Sequence, residues 1–261
     1  MRDTLIRFSR STRSWLGIVS LAAGLLAWWA AARFGGLPAF ILPAPGQVWV
    51  RLLRSLADGS LLFHSAVTLA EVLAGLFLGG FLATVLGYLV ARSRVLEDML
   101  APYLVASQAV PLVAIAPLLV IWFGPGMFSK ILICALIVFF PVLINTVVGV
   151  RAVPAPLHDL MRSLRASRAQ ILFKLEVPAA MPVFLGGLRI GATLSVIGAV
   201  VGELVGADQG LGFLINVGRG QYDTALVFVA VFALIVLALA LYGLVAWAES
   251  RLLTWQEAPG R

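Results

Sequence analysis

Long apolar runs, separated by short polar or Gly- and Pro-rich segments, dominate the pattern of this sequence. Each run approaches or exceeds the roughly 20 residues that an α-helix needs to cross a bilayer. We therefore expect an all-α polytopic membrane protein. The six predicted spanning helices occupy residues 15–32, 61–91, 100–123, 128–150, 183–205 and 225–247.

Residues 1–60 are expected to form one spanning helix followed by an outer amphipathic segment. Basic residues before the first apolar run and alanines at its end, Ala30 among them, also resemble a cleaved signal peptide. The run is longer than the roughly 7–15 residues of a signal-peptide core, which favours an uncleaved helix. After it, Val48 and Leu52 alternate with Arg51 in the pattern of an amphipathic helix at a membrane surface.

Basic residues are distributed unevenly between the segments that separate the runs. If residue 1 is cytoplasmic, thirteen Lys and Arg residues lie on the inner side and five on the outer side, leaving out Arg189. Cytoplasmic loops of membrane proteins carry such an excess. Both termini, the tail 249–261 and the long basic loop 151–181 are therefore predicted to be cytoplasmic.

Composition supports the membrane assignment and excludes several functions. Of 261 residues, 61% are hydrophobic and 12% are charged, whereas soluble domains carry about 25% charged residues. The inner loops account for the net charge of +7 better than nucleic-acid binding does. Two histidines, one cysteine and no GxxxxGKS or GxxxxGKT pattern predict no metal site, no catalytic cluster and no ATP hydrolysis by this chain.

Prolines and polar residues inside the predicted spans are candidates for a transport pathway. The prolines each remove a backbone hydrogen bond, which either lets a helix line a pathway or produces a static kink. The amide and hydroxyl side chains either face a shared cavity or hydrogen-bond between helices. Ionisable residues of apolar spans are functional candidates, although Glu203 is alternatively solvated at the outer end of its span. The candidates are Ser107, Gln108, Pro111, Pro117, Asn145 and Glu203.

The segment 158–191 reads HDLMRSLRASRAQILFKLEVPAAMPVFLGGLRIG and begins with the longest polar run between two apolar regions. Ser167 and Gln170 fit a capping box, in which each side chain satisfies a free backbone amide at a helix N-terminus. We expect two short helices against the membrane face. A spanning helix, marked by Pro178 and Pro182, is expected to follow them.

This segment resembles the cytoplasmic EAA loop of bacterial binding-protein-dependent ABC importer permeases. Residues 159–161 stand where the family has Glu-Ala-Ala, Arg165 where it has Gly, and residues 175–178 where the motif ends. The words SLRAS, VPAAMP, GGLRIG and GELVGADQGLGFLI are also similar to the family. Upstream, VPLVAIAPLLVIWFG and FFPVLINTVVGVRAVP resemble its nitrate, sulfonate and taurine branch, and the resemblance covers residues 61–247.

The resemblance implies the fold and the role of the chain. It implies a type I ABC importer permease domain at residues 61–248, which forms the translocation pathway as a homodimer in the bacterial inner membrane. It also implies two separate ATPase subunits that hydrolyse ATP, and a periplasmic or lipid-anchored solute-binding protein that delivers the substrate. Membrane lipid is the remaining expected partner, and we expect the chain itself to bind no cofactor and no nucleic acid. The branch carries nitrate, alkanesulfonates, taurine and pyrimidine precursors of vitamins.

The loop is implied to transmit movement of the ATPase subunits to the spans. Its arginines are expected to make charge contacts, and Leu164 with Ala166 to occupy a groove of the ATPase. Asp159 is alternatively expected to cap the first short helix. Because arginine resists the positive φ that a glycine adopts, we expect the helix before Arg165 to run on or end differently. The coupling residues are Asp159, Arg162, Ser163, Leu164, Arg165, Ala166, Ser167 and Arg168.

An ion-coupled secondary transporter is the main alternative to an importer subunit. Such a transporter is expected to contain internal repeats with coupling-ion residues in broken helices. The sequence contains no convincing repeat. A separate ATPase that copurifies with the chain discriminates between the two functions.

Overall fold

The structure, a computed structural model, describes residues 2–109 and 111–253, with side chains at 15–17, 19–106, 111 and 113–253, and the regular secondary structure of these residues is helical. Short loops join the helices. In chain order these are α1 (Arg2–Phe34), α2 (Pro45–Ala57), α3 (Ser60–Arg92), α4 (Arg94–Ala109), α5 (Leu112–Phe123), α6 (Met127–Arg151), α7 (Ala155–Ser163), α8 (Arg168–Ile171), α9 (Val177–Gly206), α10 (Leu211–Gly220) and α11 (Thr224–Leu252). A π-helical turn, Leu172–Glu176, joins α8 to α9.

Five helical stretches in the described residues are long and apolar enough to cross a membrane. Their length and composition confirm the predicted polytopic all-α architecture and five of the six predicted spans. These stretches are Trp15–Phe34, Ser60–Arg92, Met127–Arg151, Arg168–Gly206 and Thr224–Leu252.

Residues 100–123, which we expected to form one span interrupted by prolines, form two separate helices. Helix α4 ends at Ala109 and α5 begins at Leu112. Pro111 lies between them in an extended conformation, with φ −69° and ψ 103°. Proline has no N–H to donate and its ring crowds the preceding turn, so Pro111 separates the two helices, whereas Pro117 is accommodated inside α5.

Helix α6 packs along both α3 and α9, and glycines allow these helices to approach closely. A Cβ at Gly79 would collide with the carbonyl oxygen of Ala135 and lie 2.8 Å from its Cα. A Cβ at Gly198 would lie 3.1 Å from the Cα of Cys134. Small residues permit such crossings between membrane helices. Gly79 belongs to a GxxxG pair with Gly75, and Gly198 to one with Gly202, and both pairs lie where their helix contacts α6.

Helix α2 confirms the predicted amphipathic helix of the outer segment. Val48 and Ser55 are buried, while Trp49 on another face is exposed. The Arg51 Nε donates a hydrogen bond to Asp223 Oδ2 at 2.7 Å. Since Asp223 is the N-cap residue of α11, this ion pair joins α2 to the start of the last span.

The predicted second short helix is not separate from the span that follows it. Helix α8, the π turn and α9 form one continuous stretch, Arg168–Gly206. The Val177 N–H donates to the Leu172 carbonyl, five residues back, which is the wide geometry of a π turn. Pro178 follows at once, as the second residue of α9, and supplies no N–H to the turn before it.

Candidate functional site

Helix α7 forms the first half of the basic loop and follows an N-cap residue, Pro154, in extended conformation. The alternative that Asp159 caps this helix is wrong. Asp159 lies in the middle of α7, with its Oδ1 3.6 Å from Arg162 Nη1. Proline is favoured at the start of a helix because its missing N–H has no intrahelical partner there. The prolines at 154 and 156 therefore set the start of α7 ahead of Asp159.

The C-terminus of α7 is closed by a Schellman motif. The Ala166 N–H donates to the Met161 carbonyl at 3.0 Å, and the Arg165 N–H donates to the Arg162 carbonyl at 2.9 Å. This pair of bonds requires the residue after the helix C-cap to adopt a left-handed backbone conformation. Arg165 occupies that position with φ 53°. The expectation that arginine prevents this turn is therefore wrong, because two backbone bonds hold the residue in the conformation that a glycine adopts more easily.

The predicted capping box at the start of α8 is confirmed. The Gln170 N–H donates to Ser167 Oγ at 3.3 Å, and the Ser167 N–H donates to Gln170 Oε1 at 2.7 Å. The turn between α7 and α8 is consequently fixed at both ends by hydrogen bonds between residues close in sequence.

The residues predicted to couple to an ATPase form one surface around this turn, here termed the coupling surface. Seven of its eight residues are exposed, and Ala166 is half-buried. Leu164 lies at the tip with 68% of its area exposed. The coupling surface consists of Asp159, Arg162, Ser163, Leu164, Arg165, Ala166, Ser167 and Arg168.

A buried carboxylate lies beneath the coupling surface, at the end of the π turn. Glu176 is 1% exposed, and its Oε1 is 2.9 Å from Arg92 Nη2. The Tyr88 hydroxyl donates to Glu176 Oε2 at 3.1 Å. His158 of α7 approaches from the other side, with Nδ1 3.8 Å from Oε1. These four residues, here termed the Glu176 cluster, connect α3, α7 and the π turn.

A second ion pair joins the start of α4 to the end of α6 on the same side of the bundle. The Arg151 guanidinium donates to both carboxylate oxygens of Glu97, at 2.6 and 2.7 Å. This hydrogen bonding lowers the pKa of Glu97 below its ordinary value, because it favours the ionised carboxylate. The pair holds α4, which lies outside the tightly packed helices, against α6.

The predicted pathway residues whose side chains the structure describes do not converge on one site. Pro111 and Pro117 are exposed in and beside α5, and Ser107 and Gln108 lie in α4 with side chains outside the described part of the protein. Asn145 Nδ2 donates to a carbonyl of its own helix, Pro141, at 2.8 Å.

Asn145 of α6 and Glu203 of α9 also lie far apart in the bundle. A Cβ at Gly187 would lie 2.8 Å from Asn145 Cγ, which places Asn145 at the contact between α6 and α9. Glu203 lies sixteen residues further along α9, about 24 Å at the rise of an α-helix. The two side chains therefore cannot contact one ligand of small size.

Glu203 is not solvated at the outer end of its span, contrary to one expectation. It is 0% exposed, and Thr68 Oγ1 donates to its Oε1 at 2.6 Å. The Gly212 N–H donates to its Oε2 at 2.5 Å. Glu71, which like Thr68 belongs to α3, is also buried, with 2% of its area exposed.

Backbone N–H groups at the N-terminus of α10 hydrogen-bond to side chains of α3 and α9. The Leu211 N–H donates to Thr68 Oγ1 at 2.8 Å, and the Gly210 N–H donates to His64 Nδ1 at 3.0 Å. The first N–H groups of a helix have no partner within it, so α3 and α9 supply partners for α10. A Cβ at position 210 would collide with the Glu203 carboxylate, which explains why residue 210 of the segment GADQGLG is a glycine.

The sequence identified Glu203 as a candidate but not its partners, and it did not identify the Glu176 cluster. In the sequence, Arg92 counts only among the inner basic residues, and Glu176 only within residues 175–178 at the end of the loop motif. The available signal was the opposite charge of two residues at the inner ends of neighbouring predicted spans, which should pair if the spans pack together. Among the described residues, no group of three or more His, Cys, Asp or Glu side chains is arranged to hold a metal ion.

Comparison with known proteins places the chain among transport permeases. Residues 72–254 match the family described as binding-protein-dependent transport system inner membrane component. The riboflavin transport system permease protein RibX of Chloroflexus aurantiacus is 46% identical over 238 residues, covering 91% of this chain and 89% of that protein. The taurine transport system permease protein TauC of Escherichia coli is 35% identical over 257 residues, covering 95% and 92%.

Two further comparisons agree with this placement. The formylaminopyrimidine transport permease protein ThiX of Halalkalibacterium halodurans is 35% identical over 233 residues, covering 89% of this chain and 92% of that protein. A chain of the MetNI methionine ABC transporter has a similar fold, with a TM-score of 0.57 and 19% identity over 70% of this chain and 94% of its own length. The chain therefore belongs to the binding-protein-dependent transport system inner membrane components, the permease subunits of ABC importers.

Proposed function

We propose that the coupling surface binds separate ATPase subunits, and that two copies of this chain form the pathway through which a substrate crosses the bacterial inner membrane. The observation that carries the proposal is the turn between α7 and α8, which is exposed and held by hydrogen bonds at both ends. A preformed turn loses little conformational freedom on binding, so more of the contact energy remains as affinity.

The chemistry of the coupling surface suits a protein partner. Arg162, Arg165 and Arg168 are exposed, and Asp159 is the single acidic residue among the eight. Arginine is enriched at protein interfaces, and apolar side chains fill their centres. Leu164 at the tip supplies such an apolar side chain, which fits the proposed groove of an ATPase subunit.

ATP is hydrolysed by the partner subunits in this proposal, and a periplasmic or lipid-anchored solute-binding protein delivers the substrate from outside. Uptake is then driven by ATP. The rival function, ion-coupled secondary transport, requires uptake that follows an ion gradient and continues without an ATPase. Uptake that collapses when ATP is removed, with ion gradients maintained, supports the importer, whereas gradient-driven uptake without ATP contradicts it.

The substrate is proposed to be a small organic solute of the classes that the relatives are named for. The riboflavin permease is more similar to this chain than the taurine permease is, which favours a heterocyclic solute over a sulfonate or nitrate. The solute-binding protein that copurifies with the complex tests this. Its thermal midpoint should rise with riboflavin or formylaminopyrimidine, and a rise with taurine or nitrate alone would contradict the assignment.

The proposed ATPase contact is tested by reversing two charges. The double variant Arg162→Glu and Arg168→Glu should insert normally, because insertion depends mainly on the apolar spans. Its ATPase subunits should no longer copurify, because reversal turns attraction at an interface into repulsion. Immunoblots of the affinity-purified complex measure the loss.

A matched control separates protein contact from attraction to lipid. Arg94→Glu with Arg251→Glu makes the same charge change on exposed residues of the same predicted membrane side. Attraction of a basic residue to anionic lipid amounts to about 1 kcal/mol per residue. If the arginines act only through lipid, the two double variants should therefore reduce copurification of the ATPase equally. Copurification that persists in the Arg162 and Arg168 variant, or that is lost equally in the control, contradicts the proposal.

A further inference from the structure

Glu176, at the end of the π turn, is held by residues from two other elements. Its carboxylate accepts from the Tyr88 hydroxyl and pairs with Arg92, both of α3, and it faces His158 of α7. Arg92 is itself fixed, because its Nε donates to the Tyr88 hydroxyl at 3.1 Å and its guanidinium carbon lies 5.6 Å from the centre of the Tyr88 ring. The Glu176 cluster is therefore a closed network.

A buried carboxylate is stable only when it is paired and hydrogen-bonded. Glu176 is 1% exposed, whereas the Arg92 side chain is 42% exposed. The guanidinium thus covers the carboxylate from the cytoplasmic side while part of it remains in water. Because removal of either partner leaves the other charge uncompensated, the cluster constrains the positions of α3 and the π turn relative to each other.

Helix α7 has few other means of attachment. None of its residues is buried, so no apolar core holds it against the bundle. His158 is the α7 side chain that reaches the carboxylate, at 3.8 Å, and only 20% of its area is exposed. A displacement of α7 therefore changes the immediate surroundings of Glu176.

The π turn is suited to respond to such a displacement. Its wide geometry places Glu176 at the junction with α9, and π turns inside helices are frequent at functional sites. A cavity of about 350 Å³ lies beside it, lined by Leu172, Tyr88 and Phe184 among others. Since this space is not filled by side chains, the turn has room to move relative to α3.

We propose that Glu176 is the positioning residue through which movement of α7 reaches α3 and α9. The proposal rests on the proposed function, because it requires that an ATPase moves the coupling surface. Glu176 is buried within the chain. It acts through Arg92 and Tyr88 on α3, and through the helix that continues from it into α9.

The test follows nucleotide-dependent movement at the outer end of the bundle. A spin label is attached at Gln209→Cys, in a chain whose buried native cysteine is replaced by Cys134→Ala, and the complex with its ATPase subunits is placed in lipid nanodiscs. Pulsed electron paramagnetic resonance then measures the distance between the two labels of the complex without nucleotide and with ATP and vanadate. The unaltered Glu176 chain should show a change in this distance.

Glu176→Gln and Arg92→Gln should each abolish the distance change while the ATPase subunits still copurify and still hydrolyse ATP. Arg92→Lys should retain at least half of the change, because a cation still faces the carboxylate. Glu97→Gln is the matched control, since it also neutralises a carboxylate paired with arginine on the same side of the bundle. Its pair joins α4 to α6, so its distance change should persist.

The outcomes separate the two proposals. A full distance change in Glu176→Gln, or an equal loss in Glu97→Gln, overturns the role of Glu176 alone. Loss of copurification in Glu176→Gln also overturns it, because the residue then only maintains the folded loop. A parent complex that contains no ATPase, or that shows no nucleotide-dependent change, overturns the proposed function and the inference together.

Discussion

The close crossing of α3 and α6 predicts that Gly79→Ala destabilises the protein. The new Cβ would collide with the Ala135 carbonyl oxygen and lie 2.8 Å from Ala135 Cα, and both are backbone atoms of α6. They cannot rotate away as the end of a side chain can. Gly80→Ala is the matched control, because its nearest neighbour, Leu188 Cδ1, lies at an ordinary 3.8 Å.

The expected magnitude follows from the separation that the helices must undergo. Ordinary contact begins at 3.4 Å, so α3 must move away from α6 by at least about 0.6 Å. A gap of about 0.5–1 Å forfeits a quarter to a half of each dispersion contact, and overpacking generally costs about 1–3 kcal/mol. Replacing a helical glycine with alanine stabilises each variant by the same roughly 0.5–1 kcal/mol. The difference in stability between the two variants therefore measures the steric cost alone.

Thermal unfolding of the two purified variants in the same detergent measures this difference. For a chain of this size, each kcal/mol lost in the free energy of unfolding lowers the thermal midpoint by about 2–4 °C. Gly79→Ala should therefore unfold several degrees below Gly80→Ala. The Gly80 variant should unfold at or slightly above the unaltered chain. Equal midpoints for the two variants, or a lower midpoint for Gly80→Ala, would show that α3 and α6 do not cross at Gly79.

Three further predictions concern the outer end, the loop and the topology. Gly212→Ala should lower the thermal midpoint more than Gly220→Ala in the same helix. A Cβ at position 212 would lie 2.7 Å from Glu203 Cβ, whereas a Cβ at position 220 would have no neighbour within 4 Å. Similar midpoints for the two variants would contradict the packing of α10 on Glu203. Arg165→Gly should stabilise the loop by up to about 1 kcal/mol, since the left-handed strain exceeds the entropic cost of glycine, and hydrogen exchange of the amide at 166 should slow; faster exchange would contradict the Schellman motif. A cysteine replacing Arg168 should react with an impermeant maleimide only from the cytoplasmic side and one replacing Gln209 only from outside, and the reverse pattern would overturn the proposed orientation.

Local patterns in the sequence predicted the local structure well. The spanning helices follow from the length of the apolar runs, and the capping box of Ser167 and Gln170 needs only residues three apart. The left-handed conformation of Arg165 was harder to predict. Its intrinsic preference argues against the turn, and two backbone bonds at the end of α7 override that preference.

Most partners within the buried clusters could not be predicted, because they are distant in sequence. Thr68 and Glu203 are 135 residues apart, and Tyr88 and Glu176 are 88 apart. A single sequence shows that an ionisable residue in a span requires a partner, but not which helix supplies it. The broken third span is a different case, since Pro111 was visible and its effect was underestimated.

The most direct test of the central claim is photo-crosslinking from the tip of the coupling surface in intact cells. The photoreactive amino acid p-benzoylphenylalanine is placed at Leu164, with the same residue at Gln209 as the control, and crosslinked products are identified by mass spectrometry. We predict an adduct with an ABC ATPase subunit from position 164 and none from position 209. A chain that transports its substrate but gives no ATPase adduct from position 164, or gives one from position 209, would contradict the account.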